Sequence, residues 1–269
     1  MSPISVSYAS DELKEKAENF AKIAGYPIMP TNEVISPIYL NYTNDFVELC
    51  DKEKIMSIHI DFISGDLAHR QKYSGGRGQS IAKAIGIKQG TPPPSVLDAT
   101  AGLAKDAYVL ACLGCSMTLV ERSPIIVELI KDAIQRAEED EYFKTVLEKG
   151  FKVINQSSIE YLTELKNQDV IFSDIVYPDV VYPDVIYLDP MYPDNKKSAS
   201  VKKNMQILQK LLGKDEDTQE LLNAALKVAK KRVVVKRPKG AENLTNLKPT
   251  YTVESKKTRY DIYIIQKEG

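Results

Sequence analysis

From Gln79 onward, short apolar runs alternate with helical patterns, and this alternation constrains the fold of the 269-residue chain more than any other feature. The runs fall at 96–101, 116–121, 151–155, 185–189 and 231–236, with helical patterns near 103–113, 124–140, 158–166, 199–212 and 217–230. A strand written as an unbroken apolar run is covered on both faces, so the repeat predicts an α/β fold: a parallel sheet with helices on each side. The tail differs. Tyr251 to Glu254 and Tyr260 to Gln266 read as two strands about a short basic turn, a terminal antiparallel hairpin. Upstream, Lys54 to Ile63 reads as a strand and 66–78 as a polar, glycine-rich connection. The expected division is a small N-terminal α+β subdomain with its connection at 1–78, and the main domain at 79–269.

The ends of the predicted strands carry the chemistry. Val96-Leu97-Asp98 runs into Ala99-Thr100-Ala101-Gly102-Leu103-Ala104-Lys105-Asp106, a turn of small residues over which a ligand can approach the backbone closely. The next strand ends in Glu121-Arg122, and an acid about 20 residues after the glycine turn is placed to grip a ribose diol. The fingerprint of three spaced glycines is absent, with Ala99, Ala101 and Ala104 in its place. That disfavours a nicotinamide enzyme and favours S-adenosylmethionine as cofactor. Asp98 and Asp106 also read as turn and cap residues, and Ser157-Ser158 as a helix N-cap before Ile159-Glu160.

The fourth strand, Val185-Ile186-Tyr187-Leu188, leads into Asp189-Pro190-Met191-Tyr192-Pro193. Asp-Pro is a common turn opener, but a carboxylate, a stiffened backbone and an aromatic face at a strand end suit a flat, amine-bearing base. Asp189 and the Pro190 carbonyl are expected to accept the amine hydrogens while Tyr192 stacks on the ring, and electrostatic stabilisation together with alignment then drives transfer. Just upstream, a five-residue unit repeats nearly three times from Ile175 to Asp189. Pro178 and Pro183 would interrupt a central strand, so the buried strand is expected at Val185 to Asp189 with the earlier copies at the surface.

Net charge is −1, unevenly spread: residues 191–269 hold 18 Lys and Arg against 9 Asp and Glu, making that part +9 and residues 1–190 −10. Local positive charge is what phosphate neutralisation requires, so the asymmetry points to nucleic acid. The candidate RNA contacts are His69, Arg70, Lys72 and Arg77 in the glycine-rich connection and Lys196, Lys197, Lys202 and Lys203 after the Asp-Pro element. His59, beside Ile58 and Ile60, reads as structural. No apolar segment approaches a membrane span, and Asp11, Glu12 and Glu15 do not fit a signal peptide, so a cytoplasmic protein with no membrane partner is expected. Three cysteines fit a reducing compartment, and Cys112-x-x-Cys115 lacks the second pair of a zinc site, so no metal is expected.

Taken together these stretches resemble the small-subunit (16S) ribosomal RNA guanine-N2 methyltransferase family of bacteria. The likeness is carried by His69-Arg70-x-Lys72-x-x-Gly75-Gly76-Arg77-Gly78, Asp98 to Asp106-Ala107, Glu121-Arg122, Ser157-Ser158, Tyr187 to Met191, Lys197-Ser198-Ala199, Lys231 to Pro238 and Arg259 to Tyr263. It covers roughly residues 55 to 265. The resemblance implies a class I methyltransferase (Rossmann-like) fold with a mostly parallel seven-stranded sheet, and S-adenosylmethionine as cofactor. It implies 16S ribosomal RNA or the small ribosomal subunit as partner. It places cofactor contacts on Asp98, Gly102, Lys105, Asp106, Glu121, Arg122, Ser157, Ser158 and Asp189. The chain departs from the family at Ala104 and Lys105, where glycine and arginine are commoner. A methyltransferase for adenine N6 or another nucleobase amine, a non-catalytic ribosome-assembly protein and a nucleotide-dependent oxidoreductase are the other classes such a fold serves.

Overall fold

The computed structural model describes residues 4–64, 78–171, 182–190, 207–212 and 217–266, with 168–171 as backbone only. The chain forms two compact units: one of residues 1–62, 123–139 and 192–214, the other of 63–122, 140–191 and 215–269.

The first unit is built on a five-stranded sheet in the order β2-β1-β3-β4-β5, from β1 (Ile4–Tyr8), β2 (Ile28–Pro30), β3 (Ile38–Tyr42), β4 (Val47–Asp51) and β5 (Met56–Ile58). Helix α1 (Asp11–Ala24) packs on β1 and ends at Gly25, whose φ of 73° is the left-handed C-cap geometry that glycine adopts without a Cβ penalty. The expected strand over 54–63 shrinks to β5. Ile55, at φ 51° and 92% exposed, belongs instead to the turn that folds β5 back along β4. His59 follows β5 and stacks on Phe46, ring centroids 4.1 Å apart.

The second unit carries a seven-stranded sheet in the order β11-β12-β10-β9-β6-β7-β8. Its strands are β6 (Val96–Asp98), β7 (Met117–Glu121), β8 (Phe151–Asn155), β9 (Val185–Leu188), β10 (Arg232–Pro238), β11 (Tyr251–Glu254) and β12 (Thr258–Ile264). All neighbours from β8 through β10 pair parallel, and β12 pairs antiparallel with both β10 and β11. This is the mostly parallel sheet with a terminal hairpin expected of the fold. Period-2 alternation buries both faces. Leu97, Ile186, Leu188, Val233, Val235 and Tyr263 join one core with residues of the helices, while Val96, Val185, Tyr187, Val234 and Ile262 are buried on the other side.

The helices of this unit are α2 (Ser80–Ile85), α3 (Lys105–Cys112), α5 (Glu141–Glu148), α6 (Ser158–Ile171) and α7 (Thr218–Val228). Helix α4 (Pro124–Ala137), which follows β7 in sequence, belongs to the first unit, where it packs on β4 and Glu128 accepts the Tyr42 hydroxyl at 2.9 Å. The helix expected over 124–140 ends at Ala137, and α5, which follows it, was not foreseen. Asp140 caps α5, its carboxylate accepting the Phe143 N–H at 2.8 Å. Strand β6 stops at Asp98, three residues short of the expected end, because Asp98 Oδ1 takes the Thr100 N–H at 3.0 Å and turns the chain. Residues 172–181, which include the first copy of the tandem repeat and the start of the second, lie outside the described residues; the last copy forms β9, buried at every position.

Candidate active site

In an open parallel sheet, ligands bind at the carboxyl ends of the strands where the strand order reverses. Here that point lies between β6 and β9, which pair parallel although a helix follows each and β7 flanks β6 on its other side. The polar residues at these ends are joined by hydrogen bonds. Thr100 Oγ1 accepts the Asp189 backbone N–H at 2.6 Å and lies 3.4 Å from Asp98 Oδ1, so the turn after β6 is fastened to the end of β9. Glu121, at the end of β7, accepts the Gly102 N–H on Oε2 at 3.0 Å, and Ser158 donates to the Ala99 carbonyl at 2.7 Å. Asp98, Gly102, Glu121, Ser158 and Asp189, assembled from four separate stretches of sequence, thus share one connected set of loops.

Helix α3 starts beside them. Ala104, directly before it, has φ 55° and is fully buried, so alanine occupies a left-handed position that glycine would take without strain. Gly102 is also left-handed at φ 49°, and a Cβ built there would meet only the Thr100 carbonyl, at 3.8 Å. The space above the turn is open to a ligand.

Three expected site residues flank this bonded set without a hydrogen bond to it among the described contacts. Lys105 is exposed at the first position of α3. Arg122 reaches Asp217 at 3.2 Å, an ion pair with both side chains more than 40% exposed and so worth little on its own. Ser157 precedes the first residue of α6 and accepts the Tyr161 N–H on its carbonyl, as an N-cap residue does. Tyr192, His69, Arg70, Lys72, Arg77, Lys196, Lys197, Lys202 and Lys203 lie outside the described residues.

Sequence reasoning missed Lys236. Charges that flank an apolar strand centre such as Val233–Val235 are ordinarily exposed at the strand ends, yet Arg237 is 5% exposed, its guanidinium donating to the Glu242 carbonyl, and the Lys236 side chain is 26% exposed. The reason is sheet order: β10 lies between β9 and β12, so its carboxyl end is walled in. Lys236 Nζ bonds Asp106 Oδ2 at 2.6 Å and Asp189 Oδ2 at 2.7 Å, and Asp106 Oδ2 also accepts the Tyr187 hydroxyl at 2.7 Å. Burial works against the lysine charge, but the Asp189 and Asp106 carboxylates outweigh it and hold the ammonium above the usual lysine range. The acidic residue on helix α3 was the available signal: a lysine at a strand end needs such a partner to be buried.

The electrostatics favour a cation. Burial pushes Asp98 up to about 7, and the charges of Asp106 and Asp189 push the same way against the Thr100 N–H. A carboxylate resisted by its acidic neighbours reports a negative potential, which a sulfonium would relieve. The open glycine turn, the strand-end acids and this potential all fit S-adenosylmethionine. Cys112 and Cys115 are largely buried, and burial raises both thiols, Cys115 to about 12.

A family model described as "Putative SAM-dependent methyltransferase" matches residues 29–265. A ribosomal RNA small subunit methyltransferase J from Shewanella loihica is 47% identical over 215 residues, 80% of this chain and 77% of that protein. Its counterpart from Haemophilus influenzae is 44% identical over 254 residues, 93% and 92% of the two chains. The chain belongs to the ribosomal RNA small subunit methyltransferase J family. The crystal structure of a SAM-dependent methyltransferase from Neisseria gonorrhoeae superposes with a TM-score of 0.72 at 29% identity and covers 98% of each chain. The family's fold and its S-adenosylmethionine dependence agree with the sheet order and the strand-end acids described above.

Proposed function

We propose that this protein transfers a methyl group from S-adenosylmethionine to the exocyclic N2 amine of a guanine in 16S ribosomal RNA. The observation that carries this reading is the carboxylate of Asp189, whose backbone N–H is held to the β6 turn by Thr100 and whose side chain is still 37% exposed, so that a base can reach it. Membership in the methyltransferase J family supports the ribosomal RNA substrate.

In this reading Asp98, Gly102, Lys105, Asp106, Glu121, Arg122, Ser157 and Ser158 form the cofactor side. Glu121 takes the ribose hydroxyls at the end of β7, and Gly102 lets the backbone approach. Bound S-adenosylmethionine supplies an electrophilic methyl on a cationic sulfur.

Asp189 and the Pro190 carbonyl accept the two hydrogens of the amine. They favour the pyramidal nitrogen, whose lone pair is otherwise drawn into the ring, and stabilise the positive charge that develops on it. Tyr192 stacks on the base and holds its plane. The methylated nitrogen is acidic enough to release its proton to water, so no strong base is required. The nucleotide reaches this site from a loop or flipped out of a helix, and His69, Arg70, Lys72, Arg77 and the lysines at 196, 197, 202 and 203 hold the flanking phosphates. The cytoplasm is where such a substrate is met, and no helix among the described residues is long and apolar enough to cross a membrane.

Mass mapping of 16S ribosomal RNA from cells lacking the protein, and from the same cells with it restored, tests the proposal. The expected result is the loss and recovery of one methyl group on one guanine; unchanged ribosomal RNA overturns it.

A further inference from the structure

Lys236 is not accounted for by the roles above. Its ammonium has three donors, and the described residues use two of them, Asp106 Oδ2 at 2.6 Å and Asp189 Oδ2 at 2.7 Å. Lys236 and Asp106 also line a cavity of about 430 Å³ whose wall includes Gln79, Thr258 and Tyr260. That volume lies within the roughly 300–1,000 Å³ typical of small-molecule sites. One charged donor, tied directly to the Asp189 carboxylate, thus borders that space, although Asp189 itself is not part of its wall.

The pair presents a donor beside an acceptor, 2.7 Å apart. The Watson–Crick edge of guanine presents the complement: the O6 acceptor, then the N1–H and N2–H donors. With N1–H and N2–H on the Asp189 carboxylate, O6 falls opposite the remaining Lys236 donor. Adenine carries an amine where guanine has O6, and its donors would meet the ammonium head-on. Resting on the guanine-N2 reading, we propose that Lys236 is the residue that reads guanine O6 and so makes the site select guanine over adenine. Asp106, fixed by the Tyr187 hydroxyl at 2.7 Å, holds Lys236 in register.

The test compares single-turnover methylation of two RNA substrates, one with guanine and one with 6-thioguanine at the target position, by the full-length enzyme and by Lys236→Met. The thio base keeps N1–H and the N2 amine and replaces only O6 with a poor acceptor. The parent enzyme is expected to methylate the thio substrate about 10- to 100-fold more slowly, the loss of one charged hydrogen bond. In Lys236→Met the guanine rate falls by a similar factor and the two substrates come within about threefold of each other; Lys236→Arg, which keeps a donor, restores discrimination. Equal rates on both substrates in the parent enzyme overturn the inference while leaving the guanine-N2 reading intact. A gap in Lys236→Met as wide as the parent's also overturns it, because the lysine would then serve only to position Asp189. A parent enzyme that leaves the guanine substrate unmodified refutes the underlying reading instead. Should Lys236→Met fail to bind S-adenosylmethionine by calorimetry, the parent comparison together with Lys236→Arg decides.

Discussion

The Asp189 N–H donates to Thr100 Oγ1 over 2.6 Å, a bond between residues 89 apart in sequence that fastens the end of β9 to the turn after β6. It sets the backbone that carries the proposed catalytic carboxylate. Thr100→Val keeps the shape and removes the acceptor. The expected cost is about 1–3 kcal/mol of stability for the orphaned N–H, with a fall in kcat of up to about 100-fold as the carboxylate loses its placement. Cofactor affinity should change far less, and calorimetry alongside single-turnover rates checks the split.

Asp189→Ala is expected to lower methyl transfer by at least about 1,000-fold, because an acceptor aimed at the developing charge is lost. Circular dichroism and S-adenosylmethionine binding should show a folded, cofactor-competent protein. Turnover near the parent rate would remove Asp189 from its role.

Glu121→Gln should act on the other side of the pocket. Its Oε2 accepts the Gly102 N–H at 3.0 Å, and an amide preserves that acceptor while exchanging the carboxylate that is to grip the ribose. The expected signature is a rise in the KM for S-adenosylmethionine of about 10-fold or more with kcat within about threefold, the pattern of lost uniform binding.

Asp98 makes stability depend on pH in an unusual direction. Its folded pKa, about 7, lies above the ordinary carboxylate value of 3.8, so the folded state binds the proton more tightly than the unfolded state does. The contribution is fully present below the unfolded value and is lost as pH rises from there through about 7. Asp98→Asn keeps the acceptor for the Thr100 N–H and abolishes the titration. The gap in Tm between variant and parent should therefore shift in the variant's favour between pH 4 and pH 8, by about 3 °C or more on the scale of 2–4 °C per kcal/mol. Calorimetric scans across that range measure it; a pH-independent gap would contradict the assignment.

Replacing Lys202 and Lys203 by glutamate should weaken RNA binding across sequences and flatten its dependence on salt, the log–log slope falling by about 0.7–0.9 for each phosphate contact removed. Filter binding from low to physiological salt checks both effects.

Much of this site was legible before any coordinates. An apolar run that ends in an acid marks a strand end, and Asp98, Glu121 and Asp189 were each found that way. The small residues between Asp98 and Asp106 marked the turn, in which Ala104 is left-handed. The N-terminal sheet was not legible. Its strands of three to five residues are interleaved with turns and polar positions such as Ser5, Ser7 and Asn41, all buried, so no clean alternation announces them. Helix α5 was not legible either: it is only eight residues long and starts on a single side-chain cap at Asp140.

By itself, then, the sequence determined the alternating units, the terminal hairpin and the acids at three strand ends. These follow from periodicity and turn chemistry, which act over a few residues and are written locally. Only the tertiary structure decided that Lys236 joins Asp106, 130 residues away, to Asp189, 47 residues away, and that α4 serves the five-stranded sheet. A charge at a strand end is solvated or buried according to which strands lie beside it, and that neighbourhood is set by the order of the whole sheet.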